Sequence, residues 1–277
     1  MTQALTRFAP SPNGLLHLGH IFAAQEVWRV AEGLGADVLL RIEDIDFTRC
    51  RTTFEVALME DLPWLGFKWV GTPVRQSARK DLYQTAIDTL RGQGMLYPCQ
   101  CTRKDIEASW GAHPVYGPEG LRYRGTCKGL ASLDLSQPVA WRLDMDAALN
   151  RISDLRVTLI DGSTIDFRPL AEATGDVVLA RKDIGCSYHL AVTVDDAAQG
   201  ITHVIRGDDM REATAVHRLL QGLLRLPVPV YHFHPLLLDR DGRKLAKRDG
   251  ADGVRTLREA GHTAEDVLAM AQSHWSL

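Results

Sequence analysis

Along the first third of the chain the spacing of hydrophobic residues alternates between two periods. Residues 5–9 form a short apolar-rich run stopped by Pro10, which predicts a strand. From residue 18 to 32 the apolar positions fall at Ile21, Ala24, Val27, Trp28 and Ala31. These three- and four-residue steps predict a helix, ended by Gly33. Residues 36–42, ADVLLRI, predict a largely buried strand, and residues 52–65 and 79–91 predict amphipathic helices. Strand, helix, strand, helix is the pattern of a parallel α/β sheet.

The middle of the chain breaks this pattern. Residues 98–137 are rich in Gly, Pro, Arg and Cys and lack a long apolar period, with short strands predicted at 139–143 and 157–160. This is the composition of an insertion held together by something other than a large core. The α/β pattern then returns: strands at 187–194 and 202–205, a helix at 212–224, a strand at 230–238, a charged loop and a last helix at 256–272. The expected division is 1–97 for the first half of the core, 98–186 for the insertion, 187–250 for the second half and 251–277 for a helical tail. No internal repeat or low-complexity tract interrupts it.

Composition narrows the class. The 277 residues sit at the upper edge of one domain or suit two. With 45% apolar and 24% charged residues the chain reads as an ordinary globule. No window approaches 18 uncharged apolar residues, and MTQALTRF lacks the basic-then-apolar layout of a signal peptide. A cytoplasmic protein without a membrane partner is therefore expected, with a monomer favoured. Five unevenly spread cysteines fit reduced thiols better than a disulfide framework. A net charge of −3 argues against a uniformly basic coat but leaves room for a local basic groove.

Three segments carry candidate chemistry. FAPSPNGLLHLGH (8–20) places a Pro/Gly turn before a helix start, where unpaired backbone N–H groups attract anions, phosphates above all. His17 and His20 share a face of the first helical turn, and Gly19 lets a ring or sugar come close. By itself the pattern also fits two surface histidines at a helix start. DRDGRKLAKRDG (239–250) is a glycine-bearing loop with five basic residues among twelve. Together the two segments fit a mononucleotide held between a helix N-terminus and a lysine loop. Cys99, Cys101 and Cys127 supply three thiolates suited to zinc, which takes four ligands. Cys50 and Cys186 read as plain thiols.

HLGH (17–20) and KLAKR (244–248) resemble the HIGH and KMSKS motifs of class I aminoacyl-tRNA synthetases, in the same order and separation. TRFAPSPNGLLHLGH, LLRIEDID (39–46), YHLAVTVDD (188–196) and HVIRGDD (203–209) resemble blocks of glutamyl-tRNA synthetases, closer than to their glutaminyl kin. The resemblance covers nearly the whole chain. It implies a Rossmann-like parallel-sheet core with a small zinc-bearing insertion and a short helical tail. ATP with Mg2+ and L-glutamate are the implied substrates. His17, His20 and Lys247 would be catalytic, and with Lys244 would hold the nucleotide. Arg7, Phe8, Ala9, Pro10, Ser11, Glu43, Tyr188 and Arg206 would form the amino-acid site, the arginines taking carboxylates and Glu43 the ammonium. Ala246 departs from the common serine. For the single structural zinc the resemblance adds Tyr123 as fourth ligand, with His113 and Tyr116 as rivals.

About thirty residues follow the lysine loop, too few for helical anticodon-reading domains. This, with the Cys-Cys-Tyr-Cys set, resembles the truncated paralogue family of glutamyl-Q tRNA(Asp) synthetases. That resemblance implies glutamate activation without tRNA and transfer to queuosine in the anticodon of tRNA(Asp). Three alternatives stay open: a shortened glutamyl-tRNA synthetase charging a 3′ end, a non-catalytic RNA-binding protein, and a nucleotidyltransferase of the same superfamily. Arg103, Lys104, Arg122, Arg124 and Lys128 are candidates for a basic patch. Asp208 and Asp209 are weaker candidates for metal ligands, since paired acids usually cap turns.

Overall fold

The computed structural model describes residues 3–130, 133–183, 185–237 and 253–273. The chain divides into two compact units: Met1–Ala78 with Ile201–Met210 and Tyr231–Leu277, and Arg79–Gly200 with Arg211–Val230.

The first unit begins with β1 (Leu5–Phe8), α1 (Leu18–Leu34), β2 (Asp37–Ile42), α2 (Thr52–Trp64) and β3 (Val74–Arg75). These strands form a parallel sheet in the order β1-β2-β3, with Leu5 opposite Asp37 and Phe8 opposite Leu40. The expected parallel α/β arrangement is present. Helix α1 buries Leu18, Ile21, Phe22, Ala24, Val27, Val30 and Ala31, continues through Gly33 and stops at Gly35. Gly35 takes φ 60°, and its N–H donates to Ala31 O and Glu32 O. The left-handed turn, which glycine adopts without a Cβ penalty, ends the helix two residues later than expected.

The second unit carries α3 (Lys80–Gly92), β4 (Leu96–Cys99), α4 (Arg103–Trp110), β5 (Tyr116–Gly117), β6 (Gly120–Leu121), β7 (Ala140–Leu143), α5 (Met145–Arg151), β8 (Arg156–Thr158), β9 (Thr164–Asp166), α6 (Arg168–Thr174), β10 (Val178–Ala180) and α7 (Tyr188–Ala198). Strands β10-β7-β4 form an antiparallel sheet, and β5-β6 and β8-β9 are hairpins. One expectation fails here: residues 187–194, read as a strand, belong to α7. Ser187 caps that helix, its side chain accepting from Leu190 N at 3.5 Å. Eight consecutive residues, His189–Asp196, are buried, so no polar face reveals the helical period. Asp195 accepts from Arg79 Nε at 2.6 Å and from Tyr83 OH at 2.8 Å, which offsets its burial.

The chain then returns to the first unit with β11 (His203–Gly207), passes through α8 (Thr214–Leu224) in the second, and continues with β12 (Val230–His234), α9 (Val254–Glu259) and α10 (Ala264–Ser273). Strand β11 pairs with β12, and Thr202 ties its start to β1 through bonds to both the N–H and the carbonyl of Leu5. The expected single tail helix is two helices. Gly261, at φ 91°, breaks the path. Thr263 and Asp266 then form a reciprocal cap, Thr263 Oγ1 accepting from Asp266 N and Asp266 Oδ2 from Thr263 N. The first unit has one continuous core that includes Phe8, Ile21, Leu40, Ile42, Leu62, Ile205, Val254 and Val267. Each such side chain, fully buried, contributes about 1.5–3 kcal/mol against exposure.

Candidate active site and metal centre

The Pro/Gly turn after β1 is fastened to the end of β2. Glu43 N donates to Pro10 O at 3.1 Å, and Ser11 Oγ donates to Glu43 O at 2.9 Å. His17 is the N-cap of α1. Its Nδ1 accepts from Gly19 N at 3.1 Å, and His20 Nδ1 accepts from His17 N at 3.2 Å. The two rings lie 3.8 Å apart. A ring nitrogen that accepts cannot carry the proton, so each neutral imidazole holds its proton on Nε2.

Arg7 in β1, Glu43 just beyond β2 and Arg206 in β11 all lie at the carboxyl ends of strands of the first unit. In open α/β sheets that end is where ligands bind. All three are buried, at 5%, 9% and 7% exposure. Arg7 donates to Ile205 O at 3.4 Å, and Arg41 Nε stands 3.7 Å from Glu43 Oε1. The Arg206 guanidinium lies 5.3 Å from the Tyr231 ring centroid and 5.8 Å from that of Phe233. Phe8 points its ring into the core, edge-on to Trp28, and Pro10 is buried, so these two offer a ligand backbone rather than side chain. Tyr188 opens α7 in the second unit, its ring 5.5 Å from that of His217. Asp208 and Asp209 lie in a single 3₁₀ turn. Lys244, Ala246 and Lys247 lie outside the described residues.

Cys99, Cys101 and Cys127 converge, their three Sγ atoms within 4.8 Å of one another. The Tyr123 hydroxyl stands 3.4 Å from both Cys99 Sγ and Cys101 Sγ, and Cys101 Sγ is 3.5 Å from Cys127 Sγ. Zinc–sulfur bonds of about 2.3 Å and zinc–oxygen bonds of about 2.0 Å give tetrahedral edges of about 3.8 Å for S···S and 3.5 Å for S···O. The four groups therefore fit a zinc ion. Cys127 N–H donates to the Tyr123 oxygen at 2.8 Å, which favours a negative charge there. Arg142, from β7, donates to Cys99 Sγ at 3.3 Å, and its guanidinium lies 3.9 Å from the Tyr123 ring centroid. The rivals are elsewhere: His113 is exposed, and Tyr116 is 69% exposed on β5. Among the described residues the buried members of this cluster are Cys99, Tyr123 and Cys127, with Tyr97, Cys101, Ile106 and Leu133 partly buried against them, a small core for a loop-rich segment. Burial pushes the Cys186 thiol up to about 12 and raises that of Cys50, as befits unreactive thiols.

Of the basic candidates, Arg103 and Lys104 are exposed on the first turn of α4. Arg124 stacks over Trp110. Lys128 is engaged by Asp144 at 2.7 Å and Asp146 at 3.0 Å, which leaves it ill-suited to phosphate. Arg142, and a second cluster of Glu119, His189 and His217, were not anticipated from the sequence. Those residues are far apart in the chain, and no local pattern links them.

Residues 3–272 match the family model of tRNA synthetases class I (E and Q), catalytic domain. The chain is 46% identical over 271 residues to a glutamyl-Q tRNA(Asp) synthetase of Rhodobacter capsulatus, covering 95% of this chain and 98% of that protein. A glutamyl-Q tRNA(Asp) synthetase of Nocardia farcinica is 40% identical, with 95% and 82% covered. The crystal structure of the glutamate-tRNA synthetase of Elizabethkingia anophelis superposes with a TM-score of 0.77 at 27% identity, covering 97% of this chain but 61% of that one. The chain thus spans about three fifths of that longer enzyme. Among the described residues no helix is long and apolar enough to cross a membrane. The histidine-capped helix after β1, the buried arginines at the strand ends and these matches lead to one conclusion: the chain belongs to the class I tRNA synthetases of the E and Q type, ligases of the aminoacyl-tRNA synthetase kind.

Proposed function

We propose that this protein activates L-glutamate with ATP, without RNA, and transfers the glutamyl group to queuosine in the anticodon of tRNA(Asp). The observation that carries the activation step is the gathering of Arg7, Glu43 and Arg206 at the strand ends of the unit that also holds the His17–His20 pair. The acceptor rests on the names of the relatives.

In the first step an oxygen of the glutamate α-carboxylate attacks the α-phosphorus of ATP. The α–β phosphoanhydride bond breaks and pyrophosphate leaves; a magnesium ion accompanying the nucleotide would offset its phosphate charge. Positioning and charge stabilisation carry such a reaction. Arg7 and Arg206 bind carboxylate, Glu43 and Ser11 the amino-acid backbone, and Tyr188 is a further contact implied by family resemblance. The Nε2–H groups of His17 and His20 donate to phosphate oxygens as charge builds. Lys247, supported by Lys244, neutralises the departing phosphates. In the second step a hydroxyl of the queuosine ring attacks the acyl carbonyl, AMP leaves, and the hydroxyl proton passes to solvent. Cys99, Cys101, Tyr123 and Cys127 hold one zinc, which stakes down the insertion and takes no part in the chemistry. The protein acts as a cytoplasmic monomer.

Pyrophosphate exchange across a panel of amino acids, with and without tRNA, tests this reading. Exchange with glutamate alone and without RNA is expected. Exchange that requires tRNA would restore a shortened conventional synthetase, and none with any amino acid would leave a binding protein.

A further inference from the structure

The second unit contains a cavity of about 260 Å³ lined by Glu119, Arg142, Thr174, Asp176 and His189, with Tyr123 of the metal cluster at one wall. Most of its polar groups have structural partners. Asp176 accepts from Tyr97 OH at 2.6 Å and from Met145 N at 2.8 Å. Arg142 is held by Cys99 Sγ and by Asp176 O, and Thr174 donates to Leu170 O. Glu119 differs. Its side chain is 36% exposed, and it pairs with His189 Nε2, 3.4 Å from Oε2. The hydrogen bond from His189 holds its carboxyl below the usual range, so it is a carboxylate at neutral pH.

The position of that carboxylate is built into the fold. Glu119 sits in the two-residue turn of the β5-β6 hairpin, where Gly117 pairs with Gly120. A Cβ on Gly117 would come within 2.3 Å of Ala173 O, so the hairpin lies backbone to backbone against the end of α6. Gly120 takes φ 94°, a conformation that lets the chain turn back directly after Glu119. On the other side His189 is fixed by His217, with Nδ1 and Nε2 3.2 Å apart, and both rings pack on Tyr188.

We infer that this cavity receives the aminocyclopentenediol group of the acceptor base, with Glu119 as the carboxylate that binds its secondary ammonium or its diol. The inference rests on the proposed function, since it concerns the acceptor of that reaction. The base of queuosine is 7-deazaguanine whose C7 carries an aminomethyl group, its amine protonated at neutral pH and bearing a small ring with two hydroxyls. A partly open cavity with a carboxylate and an imidazole on its wall matches a cation with paired hydroxyls. With the Arg142 guanidinium already held by Cys99 Sγ and Asp176 O, the carboxylate disfavours a phosphate there. His189, on the cavity wall, directly follows Tyr188 on the first turn of α7. Unmodified guanine offers neither the ammonium nor the diol, so Glu119 would also reject it.

Glu119→Gln and Glu119→Ala test this in the full-length protein. Glu119 has no part in glutamate activation, so RNA-independent pyrophosphate exchange should stay within about twofold and also reports that each variant is folded. For glutamylation of queuosine-bearing tRNA(Asp), kcat/KM should fall by about 10- to 100-fold, the range for a hydrogen bond to a charged group. A competitor tRNA(Asp) carrying 7-aminomethyl-7-deazaguanine, which keeps an ammonium but lacks the ring, should inhibit the wild type at least about tenfold better than Glu119→Gln. Transfer at wild-type rates in both variants would overturn the inference. So would a parallel loss of exchange and transfer, which would make Glu119 a structural partner of His189. If the wild type itself shows glutamate exchange but cannot glutamylate the modified tRNA, the acceptor reading fails and the cavity assignment falls with it. That outcome is distinct from an effect confined to the Glu119 variants.

Discussion

His17 and His20 cap their own helix reciprocally: His17 Nδ1 accepts from Gly19 N, while His20 Nδ1 accepts from the backbone N–H of His17 itself. One pair of bonds starts the helix and sets the tautomer of both rings. Capping leaves Nε2–H on each imidazole as the donor edge. On the proposed reading the histidines of this motif act structurally through Nδ1 and chemically through Nε2.

Those two roles separate by substitution. Asparagine is a good N-cap residue but is too short to place a donor where Nε2 stands. His17→Asn should keep close to wild-type stability, within about 0.3 kcal/mol, while kcat for glutamate-dependent exchange falls by about 10²-fold. His17→Ala should lose activity and also about 1 kcal/mol of stability. Equal loss of stability in both variants, or full activity in the asparagine variant, would contradict the division.

Arg206 is buried and its guanidinium lies near the rings of Tyr231 and Phe233. A planar cation held over aromatic faces is poorly replaced by an ammonium. Arg206→Lys is therefore expected to raise KM for glutamate at least about tenfold, with KM for ATP little changed, in exchange assays titrating each substrate. Equal increases for both would remove Arg206 from the amino-acid site.

One zinc per chain is expected by elemental analysis. Cys99→Ser should lower the content and increase proteolysis within the insertion, because the cluster has a small core behind it. Tyr123→Phe should release zinc to a chelator faster. Full retention of zinc in that variant would move the fourth ligand elsewhere.

Asp61 in α2 gives a pH signature. It is 1% exposed, and neither carboxylate oxygen has a hydrogen-bond partner among the described residues. Burial raises its pKa, with Arg255 and Arg258 offsetting part of the effect. A carboxyl whose folded pKa is raised binds more protons folded than unfolded, so stability falls as pH rises above its unfolded value of about 3.9. Asp61→Asn should therefore raise Tm at pH 8 and gain less at pH 4. A gain that is the same at both values, or a loss at pH 8, would contradict this.

The parts of this structure legible in the sequence are those where one face is wet. Helix α1 shows its period because Glu26, Arg29 and Glu32 interrupt its apolar stripe, and β2 follows at once. Helix α7 hides its period because it is buried from His189 to Asp196, and its β-branched residues imitate a strand. The break in the tail was written in Gly261 and in the Thr263–Asp266 cap, but a continuous apolar count overrides such signals. Cys99, Cys101 and Cys127 were visible as a metal set, whereas Arg142 beside them was not. A guanidinium contributed by a distant strand leaves no local pattern. Glu119 and His189 meet for the same reason only in three dimensions.

The most direct test of the account is the acceptor. Purified protein, ATP and labelled glutamate should place label on tRNA(Asp) bearing queuosine and none on the same tRNA lacking it. Enzymatic removal of the 3′-terminal adenosine should leave that labelling unchanged. Loss of acceptance with that adenosine, or equal labelling of the unmodified tRNA, would contradict transfer to the anticodon base.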